Sequence, residues 1–346
     1  EHQMWHYLAP DHPWRKDSSD LSGYVLKYFQ QVDDVVGQLV REAGEDALVF
    51  LMSDHGMSSA HYFIILNIWL MQEGFLVLKG DAMTRIKQSL FNLGFHLVNV
   101  HKLTNRLGLS KYTEYKAGYF TDRILKQIFL SFRDVDWSKS KAYSYGRHYG
   151  NVFINLKGRE PHGSVEPGRE YEEVREEIAE RALRFIHPYT RLPVVRQVLK
   201  REDVYSGPRV EESPDLMLLP RDERDIFFGL ADFGINKAAQ PVYRYSGMHR
   251  ENGMLVAQGP GIVPAGVEGA AICDLAPTIL YAMGLPVPRD MDGKVLTDLF
   301  AKNNGWGKVE FTDDLATIER GEELVYSAAQ EEQVKNRLKG MGYLGE

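Results

Sequence analysis

Residues 47–57 read ALVFLMSDHGM, and the fold turns on this stretch. Ala47 to Ser53 form a continuous apolar run that follows a polar turn. A short strand covered on both faces has this pattern, as in a parallel sheet. The run ends in Asp54-His55-Gly56. In open α/β sheets, ligands bind beyond the carboxyl ends of the strands. An Asp and a His leaving that edge side by side suit a divalent metal, because the carboxylate offers a hard oxygen and the imidazole a borderline nitrogen. Gly56 lets the backbone turn away. The plainer alternative is a strand-to-loop turn, with Asp54 capping and His55 exposed, and spacing alone does not choose between them.

Upstream, residues 18–43 predict a long helix. Ser18 or Ser19 can cap it, and Val25, Tyr28, Val32, Val35, Val36, Leu39 and Val40 recur at the helical period. Gly44 suits the residue just past the helix end. Downstream, NVFINL (151–156), PDLMLLP (214–220) and GMLVAQG (253–259) read as further strands. Residues 169–186 predict a charged amphipathic helix with Tyr171, Val174, Ile178, Ala182 and Leu183 on one side. Asp274 is the expected cap of a helix over DLAPTILYAMG that Gly284 closes. A last helix is expected at about 328–340. Residues 61–145 mix aromatic, basic and short helical segments and are expected to form a cap or insertion within one domain spanning 1–346. Strands alternating with helices predict an α/β fold with a mainly parallel, doubly wound sheet and helices on both faces.

The chain has 346 residues, 44% of them hydrophobic, so it can bury a sizeable core. Its net charge of −7 argues against a general nucleic-acid binder, which would show a basic face. The single cysteine, Cys273, rules out an intrachain disulfide framework and fits a reducing, cytoplasmic setting. The longest apolar stretch, Tyr62 to Met71, is too short to span a bilayer, so no transmembrane segment is expected. The chain opens at Glu1 without Met or a leader, and the expectation is a chain that begins part-way through its protein.

Two more segments bear on chemistry. Gly247-Met248-His249-Arg250 precedes the strand at 253–259, where glycines let a His approach a site closely. Taken alone, an ordinary surface loop with Arg250 paired to Glu251 is the better reading. His2 lies among Trp5, His6 and Tyr7, which by themselves predict only a packed aromatic terminus. His12, His61, His148 and His162 are read as loop residues and not as ligands.

Taken together, these segments resemble the alkaline phosphatase superfamily, in its type I phosphodiesterase/nucleotide pyrophosphatase branch. His2 and Trp5 match an H-x-x-W motif. SDHGM (53–57) matches an Asp-His metal pair, and GMHRENGMLVAQGPGI (247–262) matches a late His motif. CDLAPTILYAMGLPVPRDMDGKVL (273–296) resembles the branch's D-[IL]-A-P-T-[IL]-L segment. WSKSKAYSYGR (137–147) and INLKGREPHG (154–163) are similar to a bacterial and archaeal phosphohydrolase or phosphomutase group.

The resemblance implies an alkaline-phosphatase-like fold and two divalent metals, zinc or else manganese. Asp54 and His55 would hold one ion, and His2 and His249 the other. It implies a small phosphate ester or nucleotide as substrate. It also places a Ser or Thr nucleophile upstream of Glu1, so no catalytic residue is nominated here and residues 1–346 alone are expected to be inactive. A phosphomutase, another phosphotransferase or a sulfatase of the same superfamily is the alternative. A non-catalytic metal-binding or interaction domain is the alternative from another class.

Overall fold

The structure, a computed structural model, describes residues 2–15, 21–107, 127–148, 150–229, 233–243, 245–264, 266–301, 306–313, 332 and 335. Along the chain the helices are α1 (Leu21–Ala43), α2 (Leu66–Gln72), α3 (Ala82–Asn92), α4 (Leu97–Arg106), α5 (Arg169–Leu183), α6 (Arg201–Val204) and α7 (Leu275–Ala282). The strands used below are β1 (Val49–Met52), β2 (Gly56–Ser59), β3 (Tyr62–Ile65), β4 (Ala142–Ser144), β5 (Gly146–His148), β6 (Gly150–Ile154), β7 (Val195–Lys200), β8 (Leu216–Pro220), β9 (Asp225–Gly229), β10 (Ala239–Pro241), β11 (Gly247–Arg250) and β12 (Leu255–Gln258). The chain divides into two units. One takes in the described residues of 1–19 and 57–249, the other those of 20–56 and 250–344.

In the first unit, a four-stranded sheet runs β10-β3-β9-β5 and a second runs β4-β6-β8-β7. β3 and β9 are parallel, in a register that sets Tyr62 beside Asp225 and Ile65 beside Phe228. Every residue of β9 is buried, and so are Phe63, Ile64 and Ile65 of β3. These two strands are therefore covered on both faces, which explains the apolar runs at 63–65 and 226–228. Every other pairing in the two sheets is antiparallel. α2 lies in the same core, with Leu66, Ile68, Trp69 and Leu70 buried. The helix expected at 169–186 is α5, and Tyr171, Val174, Ile178 and Ala182 line its buried side. Leu183 is exposed. Asp215, fully buried, accepts hydrogen bonds from the Ile154 amide, Arg159, Tyr171 and Arg201. A buried carboxylate needs such partners to offset its lost hydration.

The second unit is thinner. β1 pairs antiparallel with β12, Phe50 opposite Ala257 and Met52 opposite Leu255. Phe50, Leu255 and Ala257 share a face and pack on Leu296, Leu299 and Phe300. Val256, on the opposite face, is exposed. α1 covers 21–43 of the expected 18–43, the expected caps Ser18 and Ser19 lie outside the described residues, and Gly44 follows the helix at φ 85° as a left-handed end requires.

Three expectations change. The described pairings are mostly antiparallel and fall in small sheets, so they do not form a mainly parallel, doubly wound sheet. A short apolar run shows that a strand is there but not which way its partner runs. β1 is half-buried, not enclosed. Asp274 does not cap α7 with its side chain. Its carboxylate instead accepts from the Ala271 and Lys294 amides, because a 3-10 turn precedes the helix and brings that later loop within reach. Gly284 does close the helix, at φ 69°. The helix expected at 328–340 lies outside the described residues, apart from 332 and 335.

Candidate metal centre

The four nominated ligands fall as two pairs, one in each unit. In the second unit, the end of β1 is pinned to the start of β12. The Met254 amide donates to Ser53 Oγ at 2.9 Å and the Ser53 amide to the Met254 carbonyl at 3.0 Å. Two glycines let the segments close. A Cβ on Gly56 would stand 2.2 Å from the Asn252 carbonyl oxygen, and one on Gly253 would stand 2.5 Å from the Ser53 carbonyl oxygen. Asp54 and His55 follow directly. His55 Nδ1 donates to the Gly56 carbonyl at 2.9 Å, and Nε2 lies 3.6 Å from Asp54 Oδ1. The Asp54 side chain is 73% exposed and that of His55 35%. A cavity of about 650 Å³ in this unit is lined by Ser53 and Asp54, by Glu251 and Asn252, and by the apolar Met254 and Leu275 among others.

In the first unit, the carbonyl of His2 accepts from the amides of Ser246 at 2.6 Å and Gly247 at 2.9 Å. His2 Nδ1 donates back to the Gly247 carbonyl at 2.8 Å. Gly247 admits Trp5, since a Cβ there would stand 2.5 Å from Trp5 Cβ. Ser246, fully buried, accepts the His6 amide at 3.2 Å on its Oγ, which also lies 3.0 Å from His6 Nδ1. The terminal segment is thus strapped to β11, and β11 carries His249. His249 Nε2 lies 3.2 Å from His2 Nε2 across 247 residues of chain.

The other histidines nearby do structural work. His12, buried, donates from Nε2 to the Ala60 carbonyl at 3.0 Å and accepts the Trp14 amide on Nδ1. Burial holds the pKa of both His6 and His12 below the ordinary imidazole value. Among the described residues, neither unit brings together three His, Cys, Asp or Glu side chains as a ready-made metal cluster.

A family model described as type I phosphodiesterase / nucleotide pyrophosphatase matches residues 3–229. The chain belongs to this family. The family is part of the alkaline phosphatase superfamily, so membership points to hydrolysis of phosphate esters. The matched span takes in Asp54 and His55 and stops short of His2 and His249. No curated protein and no solved structure matches the chain.

Each pair offers two donors of the kinds zinc takes, one fewer than the three protein ligands of a catalytic zinc site. Two nitrogens on one tetrahedral zinc, each about 2.05 Å from it, are about 3.3 Å apart. His2 and His249 present their Nε2 atoms at 3.2 Å. A metal-binding histidine typically donates its other ring N–H to a carbonyl, which fixes the tautomer and raises the basicity of the ligating nitrogen. His2 does this to Gly247 and His55 to Gly56.

Sequence reasoning missed two residues of the first unit altogether, His187 and Asp225, both buried, with Nε2 and Oδ1 3.8 Å apart. Burial, and then the charge of Asp222, push the Asp225 carboxyl up to about 7.

Proposed function

We propose that the chain carries the metal ligands of a two-metal phosphohydrolase of the phosphodiesterase/nucleotide pyrophosphatase kind, with Asp54 and His55 on one divalent ion and His2 and His249 on the other. Zinc is the favoured ion and manganese the second choice. The observation that carries this reading is the facing of the His2 and His249 Nε2 atoms, each on a residue anchored to β11. When bound, the two ions would polarise the phosphoryl oxygens and stabilise the attacking and leaving oxygens of an in-line displacement. The chain's own part is positional. Gly247 and Gly56 accept the ring N–H of His2 and His55, which orients the two imidazoles. Residues 61–145, whose β3 and α2 belong to the core of the first unit, are the proposed insertion that shapes the pocket. The attacking Ser or Thr hydroxyl has no nominee among residues 1–346.

Metal content after equilibrium dialysis tests this. The chain should bind zinc at two kinds of site. His249→Ala should remove one and leave the other, and His55→Ala should do the reverse. Undiminished zinc in both variants would refute the assignment. Turnover of a nitrophenyl phosphodiester is a separate readout, and it depends on the attacking hydroxyl as well.

A further inference from the structure

α3 carries a buried face and an exposed apolar one. Phe91, with Thr84 and Lys87, turns into the core, where Lys87 is held by Asp134 at 2.9 Å. Met83, Ile86, Leu90 and Leu93 recur at spacings of three, four and three, which puts them in one stripe beside the buried face, and all four are exposed. Leu93, the last of them, is 85% exposed. The chain turns at Gly94, φ 95°, and the Asn99 side chain donates to the Gly94 carbonyl at 3.0 Å, which fixes the corner between α3 and α4. Exposed apolar side chains continue beyond it with Phe95, stacked on Phe129, and with Leu103 and Leu107 at the end of α4.

The charge of this segment is opposite to that of the protein. Residues 79–107 hold five Lys or Arg and one acid, Asp81, in a chain of net charge −7. Lys79, Arg85, Lys102 and Arg106 are exposed. Lys102 and Arg106 alternate with Leu103 and Leu107, so cations border the apolar side chains. Single exposed apolar residues are ordinary, but an apolar stripe along a helix, bordered mainly by cations, marks a docking face. A basic amphipathic helix of this kind lies in the plane of an anionic bilayer with its apolar side among the acyl chains. Among the described residues no helix is long and apolar enough to cross a membrane.

We propose that the exposed α3–α4 face docks on an anionic phospholipid surface. A second copy of the chain suits it less well, because two such faces would bring like charges together. This inference is independent of the metal assignment, since none of its residues is a proposed ligand.

Co-sedimentation of the 346-residue chain with phosphatidylcholine vesicles, with and without phosphatidylserine, is the test. The chain should pellet with the phosphatidylserine vesicles and come off as salt is raised. Ile86→Glu with Leu93→Glu should reduce the bound fraction to background. Lys102→Gln with Arg106→Gln should lower partitioning about fivefold for each cation lost. These side chains are exposed, so the melting curves should match the parent's, which separates lost docking from lost fold. No pelleting with phosphatidylserine vesicles, equal pelleting with both kinds, or unchanged pelleting of the Glu variant would overturn the proposal. So would a concentration-dependent dimer that the Glu variant disperses.

Discussion

The pair His2–His249 and the pair Asp54–His55 are held by opposite means. His2 meets His249 across 247 residues, on a strap whose central hydroxyl, on Ser246, is fully buried. Asp54 and His55 are chain neighbours on an open turn, and Asp54 is largely exposed. The units around them differ in the same direction. The first buries two covered strands, a helix and several ionisable groups, whereas the second packs one strand pair on Leu296, Leu299 and Phe300. A deep core fixes side chains through packing that tolerates little change. A thin one leaves the work to local backbone geometry.

The largest effect expected from this contrast is a pH dependence in the first unit. Asp225, at the head of the buried strand β9, faces His187, Asp222, Arg224 and its register neighbour Tyr62. His187 Nδ1 accepts the Tyr189 and Thr190 amides, so a proton placed there would break both bonds, and the pair's proton stays on the Asp225 carboxyl. A carboxyl whose folded pKa is raised contributes stability that is whole below its unfolded pKa and is lost as pH rises through the folded value. The window therefore runs from the ordinary carboxyl value of 3.8 to about 7. At about 1.4 kcal/mol for each tenfold change in proton affinity, the loss across it is about 4 kcal/mol. His187 moves the other way, lowered by burial, so the raw curve mixes two groups. The difference between the parent and Asp225→Asn isolates the carboxyl. Urea melts at several pH values should show the parent losing stability relative to the variant as pH rises towards neutrality. A gap independent of pH would show that the first unit does not hold Asp225 as an acid.

Legibility in the sequence followed the same divide. α1 and α5 were readable because helical periodicity is local, and Gly44 marked an end that its φ of 85° bears out. β1, β6, β8 and β12 were readable as strands, but their directions were not, since the partner of an apolar run lies elsewhere in the chain. Asp54 and His55 stood out because the strand and turn are contiguous. His2 and His249 were linked only by resemblance, because no spacing rule joins residues 247 positions apart. His187 and Asp225 went unnoticed. Both sit in polar or proline-bearing sequence that reads as loop, and only the tertiary fold buries them.

A smaller effect should come from the glycines behind each pair. Gly247→Ala sets a Cβ against the Trp5 side chain, and Gly56→Ala sets one against the Asn252 carbonyl oxygen. Overpacking of this kind costs about 1–3 kcal/mol where the neighbour cannot move. Trp5 is confined by the strap and Asn252 by its own backbone, so both variants should melt at lower denaturant. They should part in zinc binding. Gly247→Ala should weaken the site that needs His2 and spare the other, and Gly56→Ala should weaken the site that needs His55. If either variant lost both sites together, the two pairs would not be separately built.

The smallest and sharpest test compares two serines that play the same part in different surroundings. Ser246 Oγ serves His6 and lies 3.3 Å from the His2 carbonyl, where water does not reach. Ser53 Oγ receives the Met254 amide beside the open cavity. A lost hydrogen bond is costly when the partner stays buried and unpaired, about 1–3 kcal/mol, and much less when water takes its place. Ser246→Ala strands the His6 amide and ring nitrogen and should cost about 2 kcal/mol by that rule. The Met254 amide is more exposed, and water can replace the hydroxyl, so Ser53→Ala should cost under about 1 kcal/mol. Burial should outweigh bond length here, because the Ser53 bond is the shorter of the two and yet the cheaper to lose. Equal losses from the two variants, measured as denaturant midpoints with unchanged slope, would mean that the strap at Ser246 opens to water. The His2–His249 pair would then be held no more firmly than Asp54 and His55.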